Sequence, residues 1–285
     1  MKLGLALAGG GLRGVAHIGV LKALEDNNIK VDVIGGTSIG SMVASLHAMG
    51  YKPYYMYVLV RKYAKEIINI NAGPIINGIG SYVLNKKIGM TGLNNGEALE
   101  RMYDELAERK GIKKIADIKM RIVIPTVDIK DNKEYIITNA DIKEKDKNKG
   151  YITDISVGKA IRASSCFPGV FCPCEFDYHM FLDGGILNNL PVREAKKLGA
   201  DKILAVNFQA DEIDNETRVM DILMRSIDIM GNKISEEDLA QSDFVLSVPT
   251  DKAGLFDVDK IEKCYKLGYD AVINNLDKIK ELIGE

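Results

Sequence analysis

Two glycine-rich turns fall within the first forty residues, and each is framed by an apolar run before it and a helix-like run after it. Lys2 to Ala8 leads into Gly9-Gly10-Gly11-Leu12-Arg13-Gly14 and then a helical stretch from Val15 to Glu25. Val31 to Gly35 leads into Gly36-Thr37-Ser38-Ile39-Gly40 and a second helical stretch from Ile39 to Met49. Short, continuously apolar runs bounded by glycine suit strands covered on both faces. Two strand–turn–helix units in succession imply a βαβ core with parallel strands. Loops that follow strands in such a sheet collect at one edge, where sites are built. The chain is therefore expected to be α/β with a mainly parallel central sheet.

The rest of the 285 residues extends that plan. Tyr54 to Ile68 and Glu97 to Lys110 are spaced as helices, and Arg121 to Ile129 and Glu134 to Thr138 as a strand pair. Asp141 to Gly150 is charged and reads as a solvated surface segment. Ile155 to Ser165 is helical, Met180 to Leu182 is a short strand, Val192 to Leu198 a helix and Lys202 to Phe208 a strand. A helix beginning near Val219, a strand from Phe244 to Val248 and one closing helix from Ile261 to Ile283 complete the pattern. Residues 69–96 combine six glycines with Ile75, Ile76, Ile79, Tyr82, Val83 and Leu84. That is long for a structureless loop, so the segment is a candidate cap or lid. No repeat or linker divides the chain, and residues 1–285 read as one domain with its motifs within 1–210.

Bulk properties exclude several classes. A net charge of −2 argues against nucleic acid as a partner. The apolar run before Gly9 is too short for a secretory signal, and no run approaches a membrane span. The expectation is a cytoplasmic protein, at most peripheral to a membrane. Cys166, Cys172 and Cys174 cluster without a C-x-x-C pair, so neither zinc nor a disulfide framework is indicated, even with His179 nearby.

Gly36-Thr37-Ser38-Ile39-Gly40 has the G-x-S-x-G form of a nucleophile elbow, and it lies at the strand-to-helix junction that the elbow requires. The bland reading is that Thr37 or Ser38 merely caps the following helix. The first glycine run also fits G-x-G-x-x-G, but the second strand ends in Gly35-Gly36-Thr37-Ser38 without the acid that would bind a ribose, and the G-K-[ST] ending of a P-loop is missing. An oxyanion hole fits better, with N–H groups at Gly10 and Gly11 facing the cleft and Arg13 orienting the loop or adding charge. A serine nucleophile needs a base. The histidines are His17, His47 and His179, and none follows residue 179, so the conventional Ser–Asp–His order is poorly served. The base is His179 or a group other than histidine. Asp183, ahead of Gly184-Gly185, is one such group; the competing reading is a common Asp-Gly turn.

Taken together, Gly9–Gly14, Gly36–Gly40 and Asp183-Gly184-Gly185 resemble the patatin-like phospholipase family. Ala163-Ser164-Ser165 through Pro168, Val170 and Phe171 add to the likeness, as do Asn188-Asn189 and Pro191. The resemblance covers residues 1 to about 210. It implies a three-layer α/β/α fold and a Ser–Asp hydrolase, with Ser38 as nucleophile, Asp183 as base, and Gly9, Gly10, Gly11 and Arg13 in the oxyanion loop. It also implies no metal or organic cofactor, and acyl esters of lipids as substrates. A regulatory protein that keeps this fold but has little turnover is the alternative.

Overall fold

The computed structural model describes residues 1–68, 94–142, 144–209, 219–249 and 257–285. Strand β1 (Leu3–Leu7) is buried at every position and lies in the interior of the sheet. It pairs in parallel with β2 (Val33–Gly36) on one side and with β8 (Lys202–Phe208) on the other. β2 pairs in parallel with β3 (Arg121–Asp128), and β8 with β9 (Phe244–Val248). Beyond β3 come antiparallel β4 (Lys133–Thr138) and then β5 (Lys149–Ile152), giving the order β5-β4-β3-β2-β1-β8-β9. A hairpin of β6 (Cys174–Phe176) and β7 (His179–Asp183) attaches to β3 through β7.

Helices cover both faces. On one, α1 (Val15–Asp26) meets α2 (Ile39–Ala48), α3 (Pro53–Ile68) and α8 (Ile261–Ile273). There, too, α5 (Val157–Ser165) joins α2 to α4 (Glu97–Glu108). On the other, α6 (Val192–Lys197) lies across β1, β2, β3 and β8 and meets α7 (Val219–Gln241). This is a mixed α/β architecture with a mostly parallel central sheet between helices, as the two opening units imply. Leu5, Leu7, Ile34, Ile122, Ile124 and Phe181 are among its fully buried side chains.

Two local expectations are corrected. The closing helix is two helices, α8 and α9 (Leu276–Ile283), parted at Asn274-Asn275, where Asn275 Nδ2 bonds back to the Ala271 carbonyl. The charged stretch 141–150 is not all solvated surface: Lys149 and Gly150 open β5, and the Lys149 ammonium is buried between Glu134 and Glu194. Alternation of charge hid a strand there, because a buried ion pair reads in sequence like surface. One strand was not expected: β6, partner of β7, has no separate signal around Cys172-Pro173-Cys174. The candidate cap at 69–96 lies outside the described residues except for 94–96.

Candidate active site

Ser38 occupies the single step between the end of β2 and the start of α2, with φ 55° and ψ −125°. A left-handed φ on a non-glycine residue costs roughly 1–3 kcal/mol and persists only where the surroundings over-determine it. They do so here. Thr37 N–H donates to the Leu7 carbonyl at 3.2 Å and Thr37 Oγ1 to the Asn188 carbonyl at 2.8 Å. Ser38 N–H donates to Ser164 Oγ at 3.1 Å, and Ser41 N–H returns to the Ser38 carbonyl at 2.8 Å. The flanking glycines are required by close approach: a β-carbon on Gly36 would stand 2.2 Å from the Gly40 carbonyl oxygen, and one on Gly40 would stand 2.4 Å from that of Leu7. The Ser38 side chain makes no capping hydrogen bond to α2, so helix capping does not explain the residue.

Strand register brings Asp183 to the same place. β2 covers the edge of β3 only as far as Val123, and β7 takes over that edge from Thr126 onward, with Asp183 opposite Thr126. The carboxyl therefore stands where the chain leaves β2 for Ser38. Asp183 is buried; its Oδ1 accepts the Gly185 N–H at 2.8 Å, and Oδ2 is enclosed without a completed hydrogen bond. Burial pushes the carboxyl up to about 6, against the opposing pull of the Ser38 hydroxyl and the Gly185 N–H.

The glycine loop abuts Ser38: a β-carbon on Gly9 would lie 3.3 Å from Ser38 Cβ. Gly9 N–H is spent on the Asn189 carbonyl at 3.1 Å. Gly10 and Gly11, at the head of the 3-10 turn Gly11–Gly14, donate to no carbonyl among the described residues, which leaves the loop with two adjacent amide donors. Arg13 is buried, its Nε donates to the Gly10 carbonyl at 3.0 Å, and its guanidinium lies 5.8 Å from the centre of the Phe208 ring. Of the two roles considered for Arg13, orienting the loop is the one this contact supports.

Behind the loop sits His17, which the sequence marks only as a helix residue. It is fully buried, its Nε2 is 2.8 Å from the Ala8 carbonyl, and its ring is 4.9 Å from that of Phe208. Burial lowers its basicity to about 4, so it is neutral and donates from Nε2. His179 lies at the far end of β7, four residues and roughly 13 Å of strand from Asp183. Its Nδ1 is 2.6 Å from Asp128 Oδ2, and its ring packs against Tyr135 and Phe181. His47 is on α2, where burial also lowers it to about 4. No histidine is therefore placed to serve Ser38.

Asn188 and Asn189 clamp the two turns to the Asp183 segment, through their carbonyls to Thr37 Oγ1 and Gly9 N–H. Asn188 Nδ2 in turn donates to Glu134 Oε1 at 2.7 Å and Glu194 Oε2 at 3.0 Å, the two carboxylates that hold Lys149. An apolar cavity of about 140 Å³ opens from Ser38 between α2, α3 and α4. Met42, Leu46, Val60, Tyr103 and Phe171 are among the side chains that line it. Among the described residues no cluster of His, Cys, Asp or Glu could hold a metal ion, and no helix is long and apolar enough to cross a membrane.

Comparison with known proteins gives a consistent family. The Patatin-like phospholipase family model matches residues 5–196. Lysophospholipase NTE1 of Candida albicans is 29% identical over 297 aligned positions, 93% of this chain. Lysophospholipase NTE1 of Meyerozyma guilliermondii is 34% identical over 217 positions, 75% of this chain. The chain spans only 19% and 13% of those two proteins. Among solved structures, ExoU in its heterodimeric complex with SpcU from the Pseudomonas aeruginosa type III secretion system matches 98% of this chain and 51% of its own, at a TM-score of 0.54 and 20% identity. VipD from Legionella pneumophila matches 97% of this chain and 67% of its own, at 0.50 and 15%. Both likenesses are of fold.

Proposed function

The chain belongs to the patatin-like phospholipase family, and from that premise we propose that it is a lipid acyl hydrolase working through Ser38 and Asp183. The observation that carries the reading is the pairing of a strained, half-buried Ser38 at a strand-to-helix turn with a buried Asp183 whose carboxyl is pushed up to about 6. A carboxylate of ordinary basicity is a poor acceptor for a hydroxyl proton. Raising it toward neutrality improves the transfer while leaving most of the group ionised above pH 6.

Ser38 Oγ attacks the ester carbonyl as its proton passes to Asp183. The carbonyl electrons move onto oxygen, and the Gly10 and Gly11 N–H groups receive that oxyanion. Collapse expels the alcohol, which takes the proton from Asp183, and leaves an acyl ester on Ser38. Water then attacks that ester, again giving its proton to Asp183, and the fatty acid leaves as Ser38 is restored. The apolar cavity beside Ser38 supports a long acyl chain as the bound part. The match to lysophospholipases supports glycerophospholipid or lysophospholipid esters as the first substrates to try.

Labelling with a fluorophosphonate tests the reading directly. The wild-type protein is expected to be modified at Ser38 and to lose hydrolysis of lysophosphatidylcholine and of p-nitrophenyl esters. Wild-type protein that neither labels nor hydrolyses any ester of the panel would overturn it.

A further inference from the structure

α3 presents two chemically distinct faces. Tyr54, Tyr55, Val58, Arg61 and Lys62 recur at the i, i+1, i+4, i+7, i+8 spacing of one helical face, and all five are exposed. Tyr54 is 67% exposed and Val58 43%, unusual for residues of their size. On the opposite face Met56 and Ala64 are buried, and Leu59, Val60 and Ala64 form part of the cavity wall beside Ser38. The helix is thus apolar inward for packing, and outward it carries aromatic hydroxyls, an aliphatic side chain and two cations.

We propose that this outer face of α3 docks on an anionic lipid bilayer. Tyrosine rings with polar tips settle at the level of lipid headgroups, where one end is apolar and the other wet. Arginine and lysine beside them are drawn to acidic headgroups, and their aliphatic stems can lie along the apolar surface. The face is also braced. Tyr55 stacks on Tyr51 with ring centres 5.2 Å apart, and Tyr51 OH donates to the Leu106 carbonyl of α4 at 2.7 Å. Leu106 lines the cavity too, so the docking face and the cavity wall are one unit. Docking through α3 brings the cavity that the same helix walls off to within one helix diameter, about 10 Å, of the headgroups. The proposal rests on the lipid-hydrolase reading of that cavity.

The test uses the Ser38→Ala protein, so that binding is read without turnover, and vesicles of phosphatidylcholine with or without 30% phosphatidylglycerol, a composition chosen to be clearly anionic. Sedimentation is expected to show binding to the anionic vesicles that weakens as salt is raised. Arg61→Gln with Lys62→Gln should lower the partition coefficient roughly 10- to 30-fold. Tyr54→Ser with Val58→Ser should lower it at least several-fold. On the Ser38 background, both pairs should slow hydrolysis of vesicle lipid and leave hydrolysis of p-nitrophenyl butyrate unchanged. Failure of the Ser38 protein to hydrolyse the soluble ester would count against the catalytic reading, whatever the vesicles show. Absent binding to anionic vesicles, equal binding by the variants, or a dimer in sedimentation velocity that the Tyr54 and Val58 changes dissociate would overturn the docking face.

Discussion

Asp183 lies 145 residues beyond Ser38, yet the β7–β3 register places it opposite Thr126, at the point where β2 ends and the chain turns into Ser38. The meeting is fixed by backbone pairing rather than by the two side chains. Asp183 is held on its side by β7 and Thr126, whose Oγ1 lies 2.9 Å from the carbonyls of both Ala163 and Leu182, and Ser38 on its side by the Thr37, Ser38 and Ser41 N–H bonds already described. On the proposed chemistry, groups placed in this way hold their geometry before a substrate arrives, so little ordering remains for the reacting complex to supply.

The proposed chemistry assigns unequal roles to the polar residues of β7. Ser38→Ala and Asp183→Asn should each lower kcat by several orders of magnitude on a p-nitrophenyl ester, with the circular dichroism spectrum unchanged. His179→Ala should cost less than about tenfold, since its partners are Asp128, Tyr135 and Phe181. Comparable losses for His179→Ala and Asp183→Asn would assign the base to the wrong residue.

A carboxyl raised to about 6 by burial makes two pH predictions. kcat/KM should climb as pH rises through about 6 and level off above it, because only ionised Asp183 accepts a proton. Stability should move the other way. The folded state binds this proton more tightly than the unfolded chain does, so the group favours folding at low pH, and that contribution is lost as pH rises from about 4 to 6. Above pH 6 the ionised, buried carboxylate costs about 3 kcal/mol. Asp183→Asn removes the charge and keeps an oxygen for Gly185 N–H. Its Tm should therefore exceed that of the wild type by several degrees at pH 7.5, with the gain shrinking below pH 6. An unchanged or lower Tm at pH 7.5 counts against a strained carboxylate.

The loop that faces Ser38 depends on Phe208 beneath it. A β-carbon on Gly10 would come within 2.8 Å of the Phe208 ring, so Gly10→Ala must move the loop or the ring. Displacing one amide donor should lower kcat roughly 100-fold with little change in KM. Arg13→Gln, which loosens the Gly10 carbonyl, should lower it less. His17→Phe should do so too, while His17→Gln, still able to donate to Ala8, should recover part of the loss. Equal effects of the two His17 changes would reduce that residue to core packing.

Legibility in the sequence followed the range of each interaction. The two opening turns were readable because strand, glycine turn and helix are contiguous, and Ser38 came with them. The order of the histidines argued against a conventional triad but left His179 open, and Asp183 entered as base only through the family resemblance. What local pattern could not show was support from a distance. The packing of His17 on Phe208 under the glycine loop, Ser164 on Ser38 N–H and the Asn188–Glu134–Glu194–Lys149 network all join residues that are neighbours only after the sheet closes. The split of the last helix had a visible signal in Asn274-Asn275, overridden by an apolar spacing that runs through it.

That network makes its own prediction. Lys149 is shared by Glu134 and Glu194 at 2.7 and 2.5 Å, all three largely buried. The ammonium holds Glu194 below the usual carboxylate range, whereas burial and the Glu194 charge raise Glu134. Lys149→Met leaves two facing acids without their cation, a loss of about 3–5 kcal/mol. Tm should fall by on the order of 10 °C at pH 7.5. The fall should narrow toward pH 5, as protonation relieves the pair. Adding Glu134→Gln should restore part of the loss, and a double variant no more stable than Lys149→Met would mean that the carboxylates do not oppose each other.

The cavity beside Ser38 predicts a length preference for the acyl chain. Ala64 is a buried, small residue of its wall, on the helix that also supplies Leu59 and Val60. Ala64→Phe projects a ring toward a space of about 140 Å³ and should block the part of it farther from the reacting carbonyl. Esters of two to four carbons need none of that space, so their kcat/KM should stay within a few-fold of wild type. Each methylene excluded from an apolar site forfeits about 0.8 kcal/mol. A loss of four methylenes is therefore enough to lower kcat/KM for a dodecanoyl or palmitoyl ester by about 200-fold. The contrast between short and long esters separates a blocked cavity from a damaged fold, which would depress both together and lower Tm. If the variant hydrolyses long and short p-nitrophenyl esters in the wild-type ratio, the acyl chain does not enter between α2, α3 and α4.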